Sequence, residues 1–390
     1  MLLSTTTSPS PLLRLLARET QCSSYICRGH PPICLRGAHS SARRISTQQR
    51  PYTFHLGVSW AGKSPDARTA RLRRPIPANT PVGKWRDEML SRPRSLSGKD
   101  AGEDFFYVTP VRSHLILFIL TLGTGVSQGI SFGVADGVGG WTDSGVDPSL
   151  FAQCLMYHSY RYARLAWAGE PEIDPTQEYE EREEVEGWEM APRDCLEAAY
   201  HGVLREKLVR AGSSTACLLN INSLSGLLRA ANLGDSGFAI IRSSSIIYRQ
   251  QAQTHFFNCP FQLTKFPSDT ERYNQSYIDY PSAADTYETK LRDGDIVICY
   301  TDGLSDNVFP ADMSAICSLV GRSGGSDDQQ VQTIADRIVH YAQTCMHDRK
   351  KVSPFEREAA REGMSYRGGV RAFNLIPCVH ADDDLNANRK

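Results

Sequence analysis

Short apolar runs separated by turn-forming residues dominate the chain from about residue 97 onward. Five of these runs predict β-strands: DFFYV at 104–108, ISFGVA at 130–135, TACLLNI at 215–221, LLRAANL at 227–233 and FAIIR at 238–242. Apolar residues spaced three and four apart predict helices over 148–168, 193–210 and 331–345. Because strands and helices come in separate blocks, the pattern predicts an α+β fold of layered antiparallel sheets flanked by helices.

The first fifty residues differ in composition from the rest of the chain. They hold seven Arg, no Lys and one acidic residue, Glu19, among many Ser and Thr. This composition predicts a mitochondrial presequence over 1–50, with the matrix as the favoured compartment, and an unstructured basic tail as the alternative. Scattered Pro and Arg at 51–95 predict a linker or lead-in, so the main domain is expected to occupy 96–370.

One stretch, 114–135, carries no formal charge apart from His114 and begins with the apolar run LILFIL. Its second half is rich in Gly and Ser and leads directly into Asp136, which favours a strand, a loop and a second strand over a membrane span. Membrane association is therefore possible but not favoured. The net charge of −1 gives no indication of a nucleic-acid partner.

Two further features describe the surface and the thiols. Ten acidic residues and one basic residue lie between 170 and 189, which is typical of a solvated loop or helix face, with partner docking as the alternative. The eleven Cys contain no C-x-x-C pair, so they indicate reduced, buried thiols rather than a zinc site or a disulfide framework.

The candidate chemistry lies at strand ends. Asp136 and Asp302 each follow an apolar run and precede a Gly, and the pair Glu103-Asp104 precedes another strand. Hard cations such as Mg²⁺ or Mn²⁺ prefer oxygen ligands, and paired ions can activate water for attack on a phosphate. Taken singly, each Asp-Gly is also a common turn dipeptide. Together, these carboxylates predict one shared metal site.

The order of several motifs makes this prediction specific. They are GED at 102–104, GVADGVGGWTDSGVDPSLF at 133–151, GSSTACL at 212–218, NLGDSGF at 232–238, THFFNCPFQL at 254–263 and GDIVICYTDGLSDNVF at 294–309. In these motifs the sequence resembles the metal-dependent type 2C (PPM) Ser/Thr protein phosphatases, especially their mitochondrial homologue 7 subgroup. The resemblance covers roughly residues 97 to 369. It implies an α-β-β-α sandwich and hydrolysis of phosphoserine and phosphothreonine by a metal-bridging hydroxide.

The resemblance also implies roles for individual residues. Asp136 would bridge two Mg²⁺ or Mn²⁺ ions, with the carbonyl of Gly137 on one of them. Asp104 and Asp302 would hold the second ion, and Glu103 would act through bound water. Asp235 matches a position associated with a weaker third ion, and Thr215 lies in a motif near the site. The implied partners are phosphoprotein substrates, and the implied state is a monomer.

Three departures from the family pattern stand out. Val138 follows the first Asp-Gly where many members have His, so another acid or solvent would protonate the leaving alcohol. The usual phosphate-binding Arg has no clean match, and Lys99 is the best substitute. The family's terminal Gly-Gly-x-x-Asp-Asp segment and its last strand are expected to be absent, because a divergent tail at 371–390 follows Gly369. Asp382, Asp383 and Asp384 are expected to belong to a solvated tail rather than to replace the missing ligand.

Rival functions are less consistent with the motifs. GDSG at 234–237 is similar to the nucleophile segment of chymotrypsin-like proteases, but Phe238 stands where Gly is expected and no matching His motif precedes it. Asp302 has Leu304 two residues on, where haloacid-dehalogenase-type phosphatases require a second Asp. The remaining alternative is a catalytically impaired phosphatase-like binding module, motivated by the incomplete terminal motif.

Overall fold

The computed structural model describes residues 52–62, 67–92, 101–111, 129–164, 190–223, 225–267, 277–370 and 374–383. All of them belong to one unit that runs from Gln49 to Lys390. The presequence at 1–50, Lys99, the acidic run at 170–189 and most of the uncharged stretch at 114–135 lie outside the described residues. In the part of the chain that is described, no helix is both long enough and apolar enough to cross a membrane.

The described strands are β1 (Tyr52–Ala61), β2 (Phe105–Val111), β3 (Gly129–Ala135), β4 (Gly212–Ser214), β5 (Ala216–Asn222), β6 (Leu227–Leu233), β7 (Gly237–Arg242), β8 (Ser245–Arg249), β9 (Thr254–Phe256), β10 (Cys259–Pro260), β11 (Leu263–Lys265), β12 (Asp285–Lys290), β13 (Asp295–Tyr300) and β14 (Asn374–Asp383). The described α-helices are α1 (Ala67–Leu72), α2 (Pro81–Leu90), α3 (Ser149–Arg164), α4 (Pro192–Arg205), α5 (Asp302–Ser305), α6 (Pro310–Gly321), α7 (Asp327–His347) and α8 (Pro354–Arg361). Two short 3₁₀ helices span Gly139–Ser144 and Pro281–Ala283.

Two antiparallel five-stranded sheets form the centre of the fold. One has the order β1-β14-β13-β7-β8, and the other has the order β12-β6-β5-β3-β2. The sheets face each other across a core in which Trp60 of β1 lies 5.3 Å from Phe106 of β2, measured between ring centroids. Helices α3 and α4 pack on the second sheet, and α7 packs on β1 and β14 of the first. The expected α+β sandwich of antiparallel sheets flanked by helices is therefore confirmed.

The first difference concerns residues 51–95, which were expected to be a linker or loosely packed lead-in. They contain β1, α1 and α2, and β1 pairs with β14 over ten residues. In β1 the larger apolar residues Tyr52, Phe54, Leu56, Val58 and Trp60 alternate with smaller or polar ones, as in a half-buried strand. The side chain of Gln332 in α7 bonds both the N–H and the carbonyl of Val58, at 3.2 and 2.9 Å. This contact covers part of the sheet edge, which would otherwise expose unpaired backbone groups.

The second difference concerns the end of the chain. The tail at 371–390 was expected to lack the last strand, whereas β14 occupies Asn374–Asp383 and lies between β1 and β13. Cys378, Val379 and Ala381 of this strand are fully buried. The strand was difficult to recognise because Pro377, which cannot donate a ladder hydrogen bond, interrupts a short apolar run.

Candidate active site

The turn at Asp136 begins where β3 ends and is held by the segment after β4. The carbonyl of Asp136 accepts hydrogen bonds from Ser214 Oγ at 2.7 Å and from the N–H of Thr215 at 3.0 Å. The N–H of Asp136 donates to Thr215 Oγ1 at 3.1 Å. Because both backbone groups of Asp136 are bonded in this way, its carboxylate leaves the sheet in a fixed direction.

Gly137 allows this turn to contact the segment that carries Glu103. A Cβ atom at Gly137 would lie 2.5 Å from the carbonyl oxygen of Pro148 and 2.7 Å from that of Glu103. Both distances are shorter than any tolerated contact, and both involve backbone atoms that cannot move independently. Gly is therefore required here, and it brings Glu103 and Asp104 next to the Asp136 turn.

Asp302 begins helix α5 directly after β13, and Asp306 lies one turn further on, with its N–H bonded to the carbonyl of Asp302 at 2.8 Å. The next residue, Asn307, binds the backbone of Val370 through both side-chain atoms, at 2.8 and 3.0 Å. The same side chain leaves no room for a Cβ at Gly369, which would lie 2.8 Å from its oxygen. The Gly368-Gly369 segment is thereby positioned beside the helix that carries Asp302.

The carboxylates raise one another's pKa. Burial, followed by the charge of Asp302, raises the pKa of Asp104 well above its ordinary value. Burial, followed by the charges of Asp104 and Asp302, does the same for the pKa of Asp136. Burial and the charge of Asp302 raise the pKa of Asp235 to about 8. These carboxylates therefore lie within strong electrostatic reach of each other, although they come from four separate segments of the chain.

The surroundings of Asp104 indicate whether the site suits a cation. Its side chain is fully buried, and neither carboxylate oxygen has a hydrogen-bond partner of good geometry among the described residues, although Thr301 and Asp136 lie close enough to lower its pKa. A buried carboxylate without partners is costly unless it is neutralised or coordinates a metal. Across the described residues, no group of three or more His, Cys, Asp or Glu side chains forms a ready-made metal site. The burial of Asp104 and the mutual repulsion of the carboxylates nevertheless favour an added cation, and all the donors are oxygen atoms, as Mg²⁺ and Mn²⁺ prefer.

The structure thus brings together Glu103, Asp104, Asp136, Asp235 and Asp302 from the predicted set, with Thr215 beside Asp136. The backbone of Asp382 and Asp383 lies elsewhere, and Asp384 is outside the described residues. Asp295 pairs with Ala381, so Asp382 and Asp383 lie at the opposite end of β13 from Asp302. The strand separates the two ends by roughly 17 Å at about 3.3 Å per residue. Asp382 and Asp383 are therefore not positioned to supply the missing ligand.

Three residues of this region, Asp306, Tyr300 and Arg249, were not predicted from the sequence. Burial, then the charges of Asp302 and Asp235, raise the pKa of Asp306 well above its ordinary value, and the positive charge of Arg249 opposes this rise. Burial raises the pKa of Tyr300 to about 12, and Arg249 opposes that shift as well. The spacing of Asp302 and Asp306, one helical turn apart, could have indicated Asp306. No local pattern indicates Arg249, because it reaches the site from β8.

The chain is similar to curated protein phosphatases. The chain is 37% identical over 244 residues to the protein phosphatase PTC7 homolog fig of Drosophila willistoni, covering 62% of this chain and 70% of that protein. It is 36% identical over 237 residues to the human protein phosphatase PTC7 homolog, covering 61% of this chain and 70% of that protein. The chain matches no protein-family model.

Among solved structures, the photosystem II phosphatase PBCP superposes with a TM-score of 0.54 at 20% identity, covering 84% of this chain and 98% of that one. At this identity the similarity establishes the fold, which is that of the type 2C phosphatases. Together with the sequence relatives, it shows that the chain belongs to the PTC7 subgroup of the PPM-type Ser/Thr protein phosphatases.

Proposed function

We propose that this phosphatase requires two Mg²⁺ or Mn²⁺ ions, held by Asp104, Asp136, Asp302 and the carbonyl of Gly137. Glu103 would contact them through water, and Asp235 would hold a weaker third ion. The observation that supports this proposal is the fully buried carboxylate of Asp104, whose pKa is raised by burial and by the charge of Asp302 within a group of mutually repelling acids. When bound, the ions supply charge neutralisation for the phosphate and an activated water for direct hydrolysis without a phosphoenzyme.

The residues of the chain then have distinct tasks. Ser214 and Thr215 hold the Asp136 turn through its backbone, which orients the carboxylate before substrate binds. Val138 is apolar and cannot donate a proton, so the leaving serine or threonine oxygen takes its proton from another acid or from solvent. Asp306, close to Asp235 and Asp302, adds negative charge on the side where a third ion would bind.

Phosphate binding requires a cation, and two residues could provide one. Lys99, proposed from the sequence, lies outside the described residues. Arg249 is exposed and lies within electrostatic reach of Asp306. A guanidinium can bind two phosphate oxygens at once, which an ammonium cannot. We therefore propose Arg249 as a phosphate-binding residue in addition to Lys99.

The test is hydrolysis of a phosphoserine peptide by the purified chain, with and without Mn²⁺ or Mg²⁺. We expect metal-dependent phosphate release that Asp136→Asn reduces by more than about a hundredfold, since this removes a charged ligand. Asp293→Asn, an exposed change in the turn before β13, should retain activity. A chain that binds the peptide without turnover, with or without metal, would contradict the proposal and support the binding module instead.

We further propose that residues 1–50 direct the protein to mitochondria, favouring the matrix, on the basis of their Arg-rich, acid-poor composition. A fluorescent protein fused behind residues 1–50 should colocalise with a matrix marker. The same fusion with the seven Arg changed to Gln should remain in the cytosol. Equal localisation of the two fusions would contradict the proposal.

A further inference from the structure

The C-terminal end of α7 places a thiol next to an amine. Cys345 lies in the last turn of α7 and is 2% exposed. Lys351 lies in the loop that follows, and its Nζ donates a hydrogen bond to Cys345 Sγ at 3.1 Å. The Lys351 side chain is 28% exposed, so the nitrogen side of the pair is accessible to small solutes.

Neighbouring groups hold the Lys351 amine next to the Cys345 sulfur. Lys351 Nζ also donates to the hydroxyl of Tyr341, lies 4.1 Å from the centroid of its ring, and is 3.8 Å from Asp312 Oδ2. The Tyr341 hydroxyl donates in turn to Asp312 Oδ2 at 3.1 Å. Burial alone would lower the pKa of Lys351, but its bonds to Tyr341 and Cys345 outweigh this and raise it. Lys351 is therefore held as an ammonium next to the sulfur of Cys345.

We propose that Cys345 and Lys351 form an oxidative crosslinking site, in which hydrogen peroxide joins Sγ and Nζ in a sulfenamide bond. Two observations carry the proposal: the short distance between the two atoms, and the contacts to Tyr341 and Asp312 that restrict the amine to one position. Cys259, which is partly exposed and free, is the natural comparison.

The reaction balances with one peroxide. The thiol of Cys345 gives its sulfur electrons to one peroxide oxygen, an S–O bond forms, the O–O bond breaks, and a water leaves with the thiol proton. The product is a sulfenic acid. The Lys351 ammonium then protonates the sulfenic hydroxyl, which leaves as a second water, and the freed nitrogen lone pair forms the S–N bond. Loss of one more proton from nitrogen gives the neutral sulfenamide. Sulfur is oxidised and the peroxide is reduced.

The crosslink would tie α7 to the loop that lies against the Asp302 helix. Ser353 in this loop donates to the carbonyl of Gly368 at 2.7 Å, and the N–H of Phe355 donates to the carbonyl of Asp306 at 3.2 Å. A Cβ at Gly369 would lie 2.3 Å from the carbonyl oxygen of Cys345. Oxidation would thus restrain the segment that packs on Asp306 and Gly369.

The experiment is peptide mass spectrometry of the full chain after treatment with hydrogen peroxide. We expect a peptide pair joined at Cys345 and Lys351, lighter than the sum of its parts by two hydrogens, which disappears after reduction with dithiothreitol. Lys351→Arg keeps the positive charge but removes the nucleophilic amine, and Cys345→Ser removes the sulfur. Both variants should lose the crosslink, whereas Cys259→Ser should retain it.

Three results would overturn the proposal. One is oxidation of Cys345 to sulfinic acid with no linked peptide, and another is a link that persists in Lys351→Arg. The third is a linked product that keeps an oxygen between sulfur and nitrogen, because this excludes attack of nitrogen on sulfur. The readout is the covalent mass and does not depend on phosphatase activity, so it is independent of the proposed metal chemistry.

Discussion

The Oγ1 atom of Thr215 accepts the N–H of Asp136 at 3.1 Å and lies 2.7 Å from Ser236 Oγ. Thr215 is buried, and Ser236 directly follows Asp235. One hydroxyl therefore connects the turn that carries Asp136 with the turn that carries Asp235. The distance between these two carboxylates is set in part by a residue that has no charge of its own.

Removing this hydroxyl should weaken the site. We expect Thr215→Ala to reduce metal affinity or kcat/KM by about 10- to 100-fold, as for other residues that orient metal ligands. Thr215→Ser keeps the oxygen, so its loss of metal affinity or kcat/KM should be smaller. On a logarithmic scale it should be less than about a third of the loss in Thr215→Ala. Titration of activity with Mn²⁺ measures both. Equal losses in the two variants would indicate a packing role for the threonine methyl group.

The raised carboxylate pKa values predict a pH-dependent stability of the metal-free protein. Asp235 has an ordinary pKa of 3.8 and a folded pKa of about 8, so between these values the folded state binds more protons than the unfolded state. Stability must then fall as pH rises through this window. Thermal melts in a chelator should show a lower Tm at about pH 8 than at about pH 6.

Two further sets of melts, with added Mn²⁺ and with a variant, serve as controls for this prediction. Mn²⁺ replaces the protons that neutralise the carboxylates, so added ion should raise the Tm more at the higher pH. Asp235→Asn should flatten the pH dependence without metal. A metal-free Tm that rises with pH, in wild type and variant alike, would show that these carboxylates do not dominate the titration.

Arg249 should contribute to substrate binding. We expect Arg249→Ala to raise KM for a phosphopeptide by about 10- to 100-fold, because one charge-assisted hydrogen bond to phosphate is worth roughly 1.5–3 kcal/mol. Arg249→Lys keeps the charge but not the two-pronged geometry and should fall in between. Steady-state kinetics at saturating Mn²⁺ separates KM from kcat. An unchanged KM in both variants would exclude contact with the phosphate.

Residues 51–95, which the sequence predicts to be a linker or lead-in, should be essential to the stability of the fold. A Cβ at Gly57 of β1 would lie 2.5 Å from the backbone oxygen of Val331 in α7. We expect Gly57→Ala to destabilise the fold by about 1–3 kcal/mol through this overpacking. Gly321 has open space around its Cα, so Gly321→Ala is the matched control and should cost little. Urea unfolding of the two variants provides the comparison.

The ion pair of Arg242 with Asp295 should support stability but not catalysis. Arg242 donates two hydrogen bonds of 2.7 Å to the fully buried carboxylate of Asp295. Arg242→Met would leave this charge buried without its partner, at a cost of about 3–5 kcal/mol. Because Asp295 begins β13 at the end opposite Asp302, kcat of the folded fraction should be unchanged. A large fall in kcat without loss of stability would contradict this separation.

Much of the fold was predictable from local patterns, and so were the strand ends that carry most of the proposed site. The runs that predicted β2, β3, β5, β6 and β7 are short and apolar, and the helices α3, α4 and α7 follow their predicted spacing within a few residues. The carboxylates of Asp104, Asp136 and Asp302 were found because each adjoins a buried strand. Such signals are local and can be recognised without knowing which strands pair with each other.

The remainder depends on contacts between distant parts of the chain. β14 carries an interrupting Pro377, and its place in the sheet depends on β1 and β13 on either side. Arg249 reaches the carboxylates from another strand, so no spacing relates it to them. β1 is the exception, because its alternation of apolar residues was visible in the sequence and the scattered Pro and Arg that follow it obscured the signal.

The pairing of β1 with β14 joins residues that are more than three hundred positions apart. A chain that emerges from the ribosome cannot complete its first sheet until β14 has been made, since β14 also separates β1 from β13. Contacts of such long range slow folding and leave apolar strands exposed in the meantime. The nascent chain should therefore remain a substrate for chaperones until synthesis has passed Asp383.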